Sequence, residues 1–224
     1  MGAQPCKIEI TLLHHTPLHI CSHAIRTCWQ SFDKGDCGGE KDRELIDRVG
    51  NKFKHASTLE HLSYNFYIKG ISRACLQELA RHRMASYSVK SSRYTLKELK
   101  SEASFLPIDE ANAQRAERFV VFTSNESVNA ASIHALENLR KILCENVSND
   151  LAKFAMPESY RTELSFSINA RSLQNFLTLR SSKSALWEIR ALARALFAAL
   201  PQEHRFIFEE CVAGASPENA DSES

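Results

Sequence analysis

The sequence predicts an α+β fold in a single domain in which helices outweigh strands. Three observations carry that expectation. Two runs alternate with period two, Leu62 to Lys69 and Glu163 to Asn169, whereas apolar residues elsewhere recur at helical spacing. With 224 residues, 43% hydrophobic and 25% charged, the chain is long enough for one sizeable core and has the balance of an ordinary globular domain. Neither an internal repeat nor a Pro/Gly-rich linker divides it, so residues 1–213 read as one domain and the polar, acidic stretch 214–224 as a disordered tail.

The elements follow in order. Lys7 to Leu13 alternates Ile8, Ile10 and Leu12 with Glu9 and Thr11 and predicts a first strand. A helix is expected around Ala24 to Gln30, then a flexible surface loop over Asp33 to Glu40, where three of the seven glycines fall, then a helical run to about Phe53. Leu62, Tyr64, Phe66 and Ile68 face one side of a second strand. From Ile71 the period turns helical, with Cys75 and Leu79 on the apolar stripe, and after Arg83 the Ser-rich, β-forming residues leave the helix. Leu136, Leu139, Ile142 and Leu143 predict a helix over Ser127 to Glu145, and Asp150 is a candidate cap for a short helix that Pro157 ends. Leu164, Phe166 and Ile168 make another strand. Helices then run over Ala170 to Arg180 and Ala185 to Leu200.

Composition also excludes. Lys and Arg number 28 against 27 Asp and Glu, a net charge of +1, so the whole-molecule field gives no reason to expect nucleic acid or a membrane surface as partner. With neither a span-length apolar run nor a signal peptide, the chain reads as cytoplasmic. Seven scattered cysteines without a CxxC pair read as reduced thiols, and Cys75, on an apolar stripe, as a packed one. The seven glycines form neither GxGxxG nor GxxxxGK[ST]. A nucleotide cradled by backbone amides is therefore excluded, and any phosphate must be held by side chains.

Side chains suited to that task cluster at Arg81-His82-Arg83, followed after seven residues by Ser91-Ser92-Arg93-Tyr94. Guanidinium forks match phosphate oxygens bidentately and hydroxyls complete the shell. On spacing alone, Arg81 and Arg83 read rather as solvated charges at a helix C-terminus. A second cluster is Asn169, Arg171, Asn175 and Arg180. Arg180 continues the Leu173, Phe176, Leu177 stripe, so it needs a partner or must reach out to water. His55, Ser57 and His61 form a third group whose spacing fits no zinc pattern, so no metal is expected.

These residues resemble the flavin-dependent thymidylate synthases. Arg81-His82-Arg83-x7-Ser91 is that family's signature, and His55-Ala56-Ser57-Thr58-Leu59-Glu60-His61 upstream and Ile168-Asn169-Ala170-Arg171 to Arg180 downstream are similar to its other motifs. The similarity runs from about Lys7 to Cys211. The stretches Lys90 to Tyr94 and Ala24 to Ser31 most resemble the members found in Helicobacter and Campylobacter.

The resemblance implies a domain with a central, mostly antiparallel sheet flanked by helices. It also implies a homotetramer with active sites shared between subunits, binding FAD and dUMP with NADPH and methylenetetrahydrofolate as co-substrates. His55, Ser57, Arg81, His82, Arg83, Asn169, Arg171 and Asn175 would contact the flavin. Glu78, Arg81, Ser91, Ser92, Arg93 and Lys153 would hold dUMP, with Ser91 near its phosphate or pyrimidine. Arg180 would stabilise negative charge on the uracil ring and so activate C5. The chain departs from the pattern at Val89, where many members carry an acidic or amide residue, at Lys153, where an Arg is usual, and at Leu186, where Gln is usual. The alternative from another class is a nucleic-acid-binding module built on Arg81, Arg83, Lys90 and Arg93.

Overall fold

A computed structural model describes residues 7–212, so the expected 214–224 tail lies outside the described residues. In chain order the elements are β1 (Glu9–His15), α1 (Leu18–Thr27), α2 (Glu40–Ile46), β2 (Ser63–Ser72), α3 (Arg73–Leu79), β3 (Ala85–Val89), α4 (Ser92–Thr95), α5 (Lys97–Lys100), α6 (Glu110–Ala116), α7 (Glu126–Cys144), α8 (Asn149–Ala152), β4 (Arg161–Asn169), α9 (Ala170–Arg180), α10 (Trp187–Ala198) and α11 (Glu209–Val212). The strands form one antiparallel sheet of order β1-β2-β4-β3, so the α+β expectation holds. Tyr64, Phe66 and Ile68 of β2 and Leu164, Phe166 and Ile168 of β4 are buried, as their alternation requires.

Several boundaries differ from expectation for identifiable reasons. Helix α1 starts at Leu18 because Pro17, extended at the N-cap position, sets the entry, and β1 extends to His15 accordingly. Ile71 stays in β2, and the helical period begins only at α3, where Ser72 Oγ accepts the Cys75 backbone N–H at 3.0 Å. Ser148 rather than Asp150 occupies the N-cap position of α8. The segment expected as a loose loop is fastened. Phe32–Lys34 forms a 3-10 turn, the buried Arg26 donates to Lys34 O and to Asp42, and the Asp36 carboxylate accepts the N–H groups of Lys41 and Asp42.

The described chain makes two compact units. The first comprises residues 7–9, 68–81 and 88–164, and the second residues 10–67, 82–87 and 165–212. In the first, Leu136, Leu139 and Leu143 of α7 pack on Leu96, Leu99, Phe105 and Phe119. Beside them the buried Glu137 carboxylate accepts from Arg140 at 2.8 Å, from the Phe105 N–H at 3.1 Å and from the Ser104 hydroxyl at 3.2 Å. In the second unit, Tyr64 stacks on Phe66 and Phe66 on Phe166, while α9 and α10 bury Leu173, Phe176, Leu177, Ile189 and Leu196. Tyr64 donates to or accepts from His204 Nδ1 at 2.8 Å within that core.

Candidate functional site

The candidate residues segregate by unit. Glu78, Arg81, Ser91, Ser92, Arg93 and Lys153 belong to the first, and His55, Ser57, His82, Arg83, Asn169, Arg171, Asn175 and Arg180 to the second. Apart from Arg180, the residues expected to hold substrate share one unit. Apart from Arg81, those expected to hold cofactor share the other.

In the first unit, Ser91 has the extended backbone that ends β3 and opens α4, which places Ser92 and Arg93 in the first turn of that short helix. Arg93 is held from both ends. Its carbonyl accepts from Asn149 Nδ2 at 2.6 Å, and its Nε and a terminal nitrogen donate to the two Asp150 oxygens at 2.5 and 3.2 Å. A carboxylate gripped through the Nε side leaves the other edge of the guanidinium fork facing outward. Lys153 follows in the 3-10 turn after α8 and is exposed. Glu78 lies on α3 with Arg81 just beyond its end, their charged atoms 3.5 Å apart. Lys90 is paired with Glu163 at 3.0 Å. Three of the four cations that a nucleic-acid surface would use are therefore each beside a carboxylate.

In the second unit the Arg180 guanidinium finds a partner, which resolves its place on an apolar stripe. Its Nε donates to His82 Nε2 at 3.0 Å, a bond that requires the Nε2 lone pair and so places the imidazole proton on Nδ1. The His82 ring lies edge-on to Phe176, centroids 4.9 Å apart, and its carbonyl accepts the Tyr87 hydroxyl at 2.6 Å. Burial pushes the Tyr87 phenol up to about 12, keeping it a donor at neutral pH. Arg83 is exposed.

Asn169 uses its side-chain oxygen as the α9 cap, accepting the Ser172 N–H at 2.8 Å, which leaves its amide NH2 as the donor for a ligand. In the first turn of α9, Arg171 donates to Glu60 at 2.6 Å, and Asn175 is exposed on the same helix. His55 opens a 3-10 turn over Ala56–His61, in which Ser57 is exposed. His55 also lines a cavity of about 950 Å³ with Trp29, Phe53, Lys34, Lys41 and Arg48. Exposed aromatic and cationic side chains thus line it together, and its volume lies in the range of cofactor sites. Among the described residues, no group of three or more His, Cys, Asp or Glu side chains is arranged to hold a metal ion.

From sequence, Asp150 is expected only as a helix cap, and Glu60 and Asn149 carry no site role. Glu60 stands inside the quoted His55 to His61 motif, where its spacing from Arg171 is invisible. Asn149 and Asp150 reach Arg93 across more than fifty residues, and no local pattern marks such a contact.

Residues 11–204 match the family described as thymidylate synthase complementing protein. The chain is 71% identical over 205 residues to a flavin-dependent thymidylate synthase of Campylobacter jejuni, covering 92% of this chain and 98% of that one. It is 66% identical over 206 residues to a flavin-dependent thymidylate synthase of Helicobacter pylori, covering 92% and 99%. A crystal structure of thymidylate synthase X from Helicobacter pylori with FAD and dUMP superposes with a TM-score of 0.89 at 65% identity, over 92% of this chain and 99% of that chain.

Proposed function

This chain belongs to the thymidylate synthase complementing family, and we propose that it makes dTMP from dUMP as a flavin-dependent thymidylate synthase. The observation that carries the residue assignment is the contact of Arg180 with His82, since it joins the downstream motif to the Arg81-His82-Arg83 signature in one place. Bound FAD, reduced by NADPH, supplies the hydride that completes a methyl group whose carbon comes from methylenetetrahydrofolate. The protein's own residues bind, orient and tune charge.

Ser91, Ser92, the open edge of the Arg93 fork and Lys153 hold the dUMP phosphate, and Glu78 and Arg81 complete the nucleotide site. Lys153 brings charge but not the planar fork of the usual Arg, so it binds phosphate as a point charge. Val89 offers no polar side chain, which leaves the backbone of its segment to make the contact an acidic or amide residue makes elsewhere. His55, Ser57, Arg81, His82, Arg83, the Asn169 amide, Arg171 and Asn175 hold the flavin. Arg180 lies against the uracil ring, where its charge stabilises negative charge at N3 and O4 and so enriches C5 in the electron density with which it attacks the one-carbon unit. Ser91 positions substrate. Loss of the C5 proton, release of tetrahydrofolate and delivery of one hydride balance the exchange of hydrogen for methyl.

The enzyme works as a homotetramer whose active sites take residues from more than one subunit. Among the described residues no helix is long and apolar enough to cross a membrane. The test is direct. The purified protein is expected to be yellow, with a flavin absorbance band, and to oxidise NADPH faster when dUMP is present, forming dTMP once methylenetetrahydrofolate is added. A colourless protein that cannot take up FAD would overturn the reading.

A further inference from the structure

The first unit contains a cavity of about 200 Å³ that takes only Ser92 from the residues assigned above. Lys90 and Ser92 line it, whereas Val89, Ser91 and Arg93 do not. Ser91 between them has extended backbone, which turns its side chain to the side opposite Lys90 and Ser92, so the cavity lies behind Ser91.

Its walls are rich in donors and poor in acceptors. Lys90 is neutralised by Glu163, and Arg118 by Glu102 at 3.0 Å. Arg161 donates Nε to Val120 O at 3.1 Å and a terminal nitrogen to Gly70 O at 3.2 Å, contacts that satisfy geometry and leave its charge uncompensated. The half-buried Arg73 guanidinium has no hydrogen-bond or ion-pair partner among the described residues, and neither do the hydroxyls of Ser92, Tyr160 and Thr162. Burial pushes the Tyr160 phenol up to about 12, so it remains a donor at neutral pH. Glu98 is the carboxylate on the wall without a cation among the described residues. Set against Arg73 and Arg161, it leaves one positive charge in excess. Half-buried donors in this number are satisfied by an anion or by water, and the excess charge selects the anion. The volume falls below the roughly 300 to 1,000 Å³ of organic-ligand sites, so the cavity admits a tetrahedral oxyanion and not a nucleoside.

We propose that this cavity is a second anion site, separate from the dUMP site, which takes a phosphate group between Arg73, Arg161, Tyr160 and Ser92. Its occupant would brace the Lys90 to Ser92 segment from behind. A ligand there and dUMP in front would then alter each other's affinity by the same factor. That coupling rests on the placement of dUMP proposed above; the site itself does not.

The experiment is a calorimetric titration of the flavin-loaded protein with inorganic phosphate in the presence of saturating dUMP, which fills the front site. One further phosphate per chain is expected. Arg73→Gln should weaken it by about tenfold or more, and Tyr160→Phe by a few-fold. Arg73→Lys should retain part of the affinity, and Arg93→Gln should weaken dUMP and leave phosphate binding in place. Tyr160→Phe, which removes one oxygen, carries the test if Arg73→Gln fails to fold. Absence of saturable phosphate binding, or binding that Arg73→Gln and Tyr160→Phe leave unchanged, overturns the proposal. Competition by glycerol 2-phosphate would assign the site to a phosphomonoester, and lack of competition to the free ion. Phosphate binding with these variant effects in a protein that makes no dTMP would sink the thymidylate reading and support this one.

Discussion

Arg180 closes a helix whose inner stripe is Leu173, Phe176 and Leu177, and it escapes that stripe by donating to His82 Nε2. A guanidinium so held costs little reorganisation when charge develops beside it, the condition under which an electrostatic group accelerates a reaction most. Arg180→Ala is therefore expected to lower kcat about 10²- to 10³-fold, the range for removing one such donor, with melting temperature little changed. Arg180→Lys keeps the charge but loses the Nε–H that meets His82, and dTMP formation should recover only in part. Undiminished turnover in the alanine variant would remove the assigned role. Cys75 is the contrasting case. It is fully buried on α3 behind the Ser72 cap, so Cys75→Ala should cost about 1 kcal/mol of stability and leave dTMP synthesis intact, as measured by denaturant unfolding and turnover on one preparation.

At the scale of elements, legibility followed local periodicity. α9 was readable to the residue because an Asn cap, an apolar stripe and a terminal Arg all lie within one short stretch. α8 was misjudged at its cap because Asp150, a good capping residue, instead pairs with Arg93. The 200 Å³ cavity left no trace in the sequence, since Arg73, Ser92 and Tyr160 come from separate segments that only folding brings together. The same holds for Glu137, whose i,i+3 spacing from Arg140 looks like an exposed helix pair while its burial beneath the loop at Phe105 is invisible locally. The Arg140 guanidinium, outweighing burial, lowers the Glu137 carboxyl from 4.5 to about 2. A carboxyl depressed on folding contributes stability that is fully present above about pH 4.5 and is lost as pH falls toward 2. Glu137→Gln should cost about 3 kcal/mol at neutral pH, because Arg140 loses its counter-charge in a mostly buried place. It should also flatten the fall of melting temperature between pH 5 and 2 expected of the unsubstituted protein. An unchanged acid profile in the variant would mean that other carboxylates govern this fall.

For the whole molecule, a net charge of +1 and seven glycines exclude the common nucleotide-binding cradles and conceal two local groups of cations. Those groups fall in different units, Arg93 with the substrate residues and Arg171 with the cofactor residues. If each active site takes its substrate residues from one subunit and its cofactor residues from another, lesions in the two sets can complement. Arg93→Ala and Arg171→Ala are each expected to lose most dTMP synthesis alone. Co-expressed in equal amounts, randomly mixed tetramers should regain about a quarter of the normal sites, because each intact site needs an unaltered Arg93 from one subunit and an unaltered Arg171 from another. Sites built within single chains would regain none, since every chain carries one lesion. Sedimentation of the same mixture at four times the chain mass separates the two claims. A tetramer without recovered activity would keep the assembly and discard the sharing, whereas a smaller species would discard both.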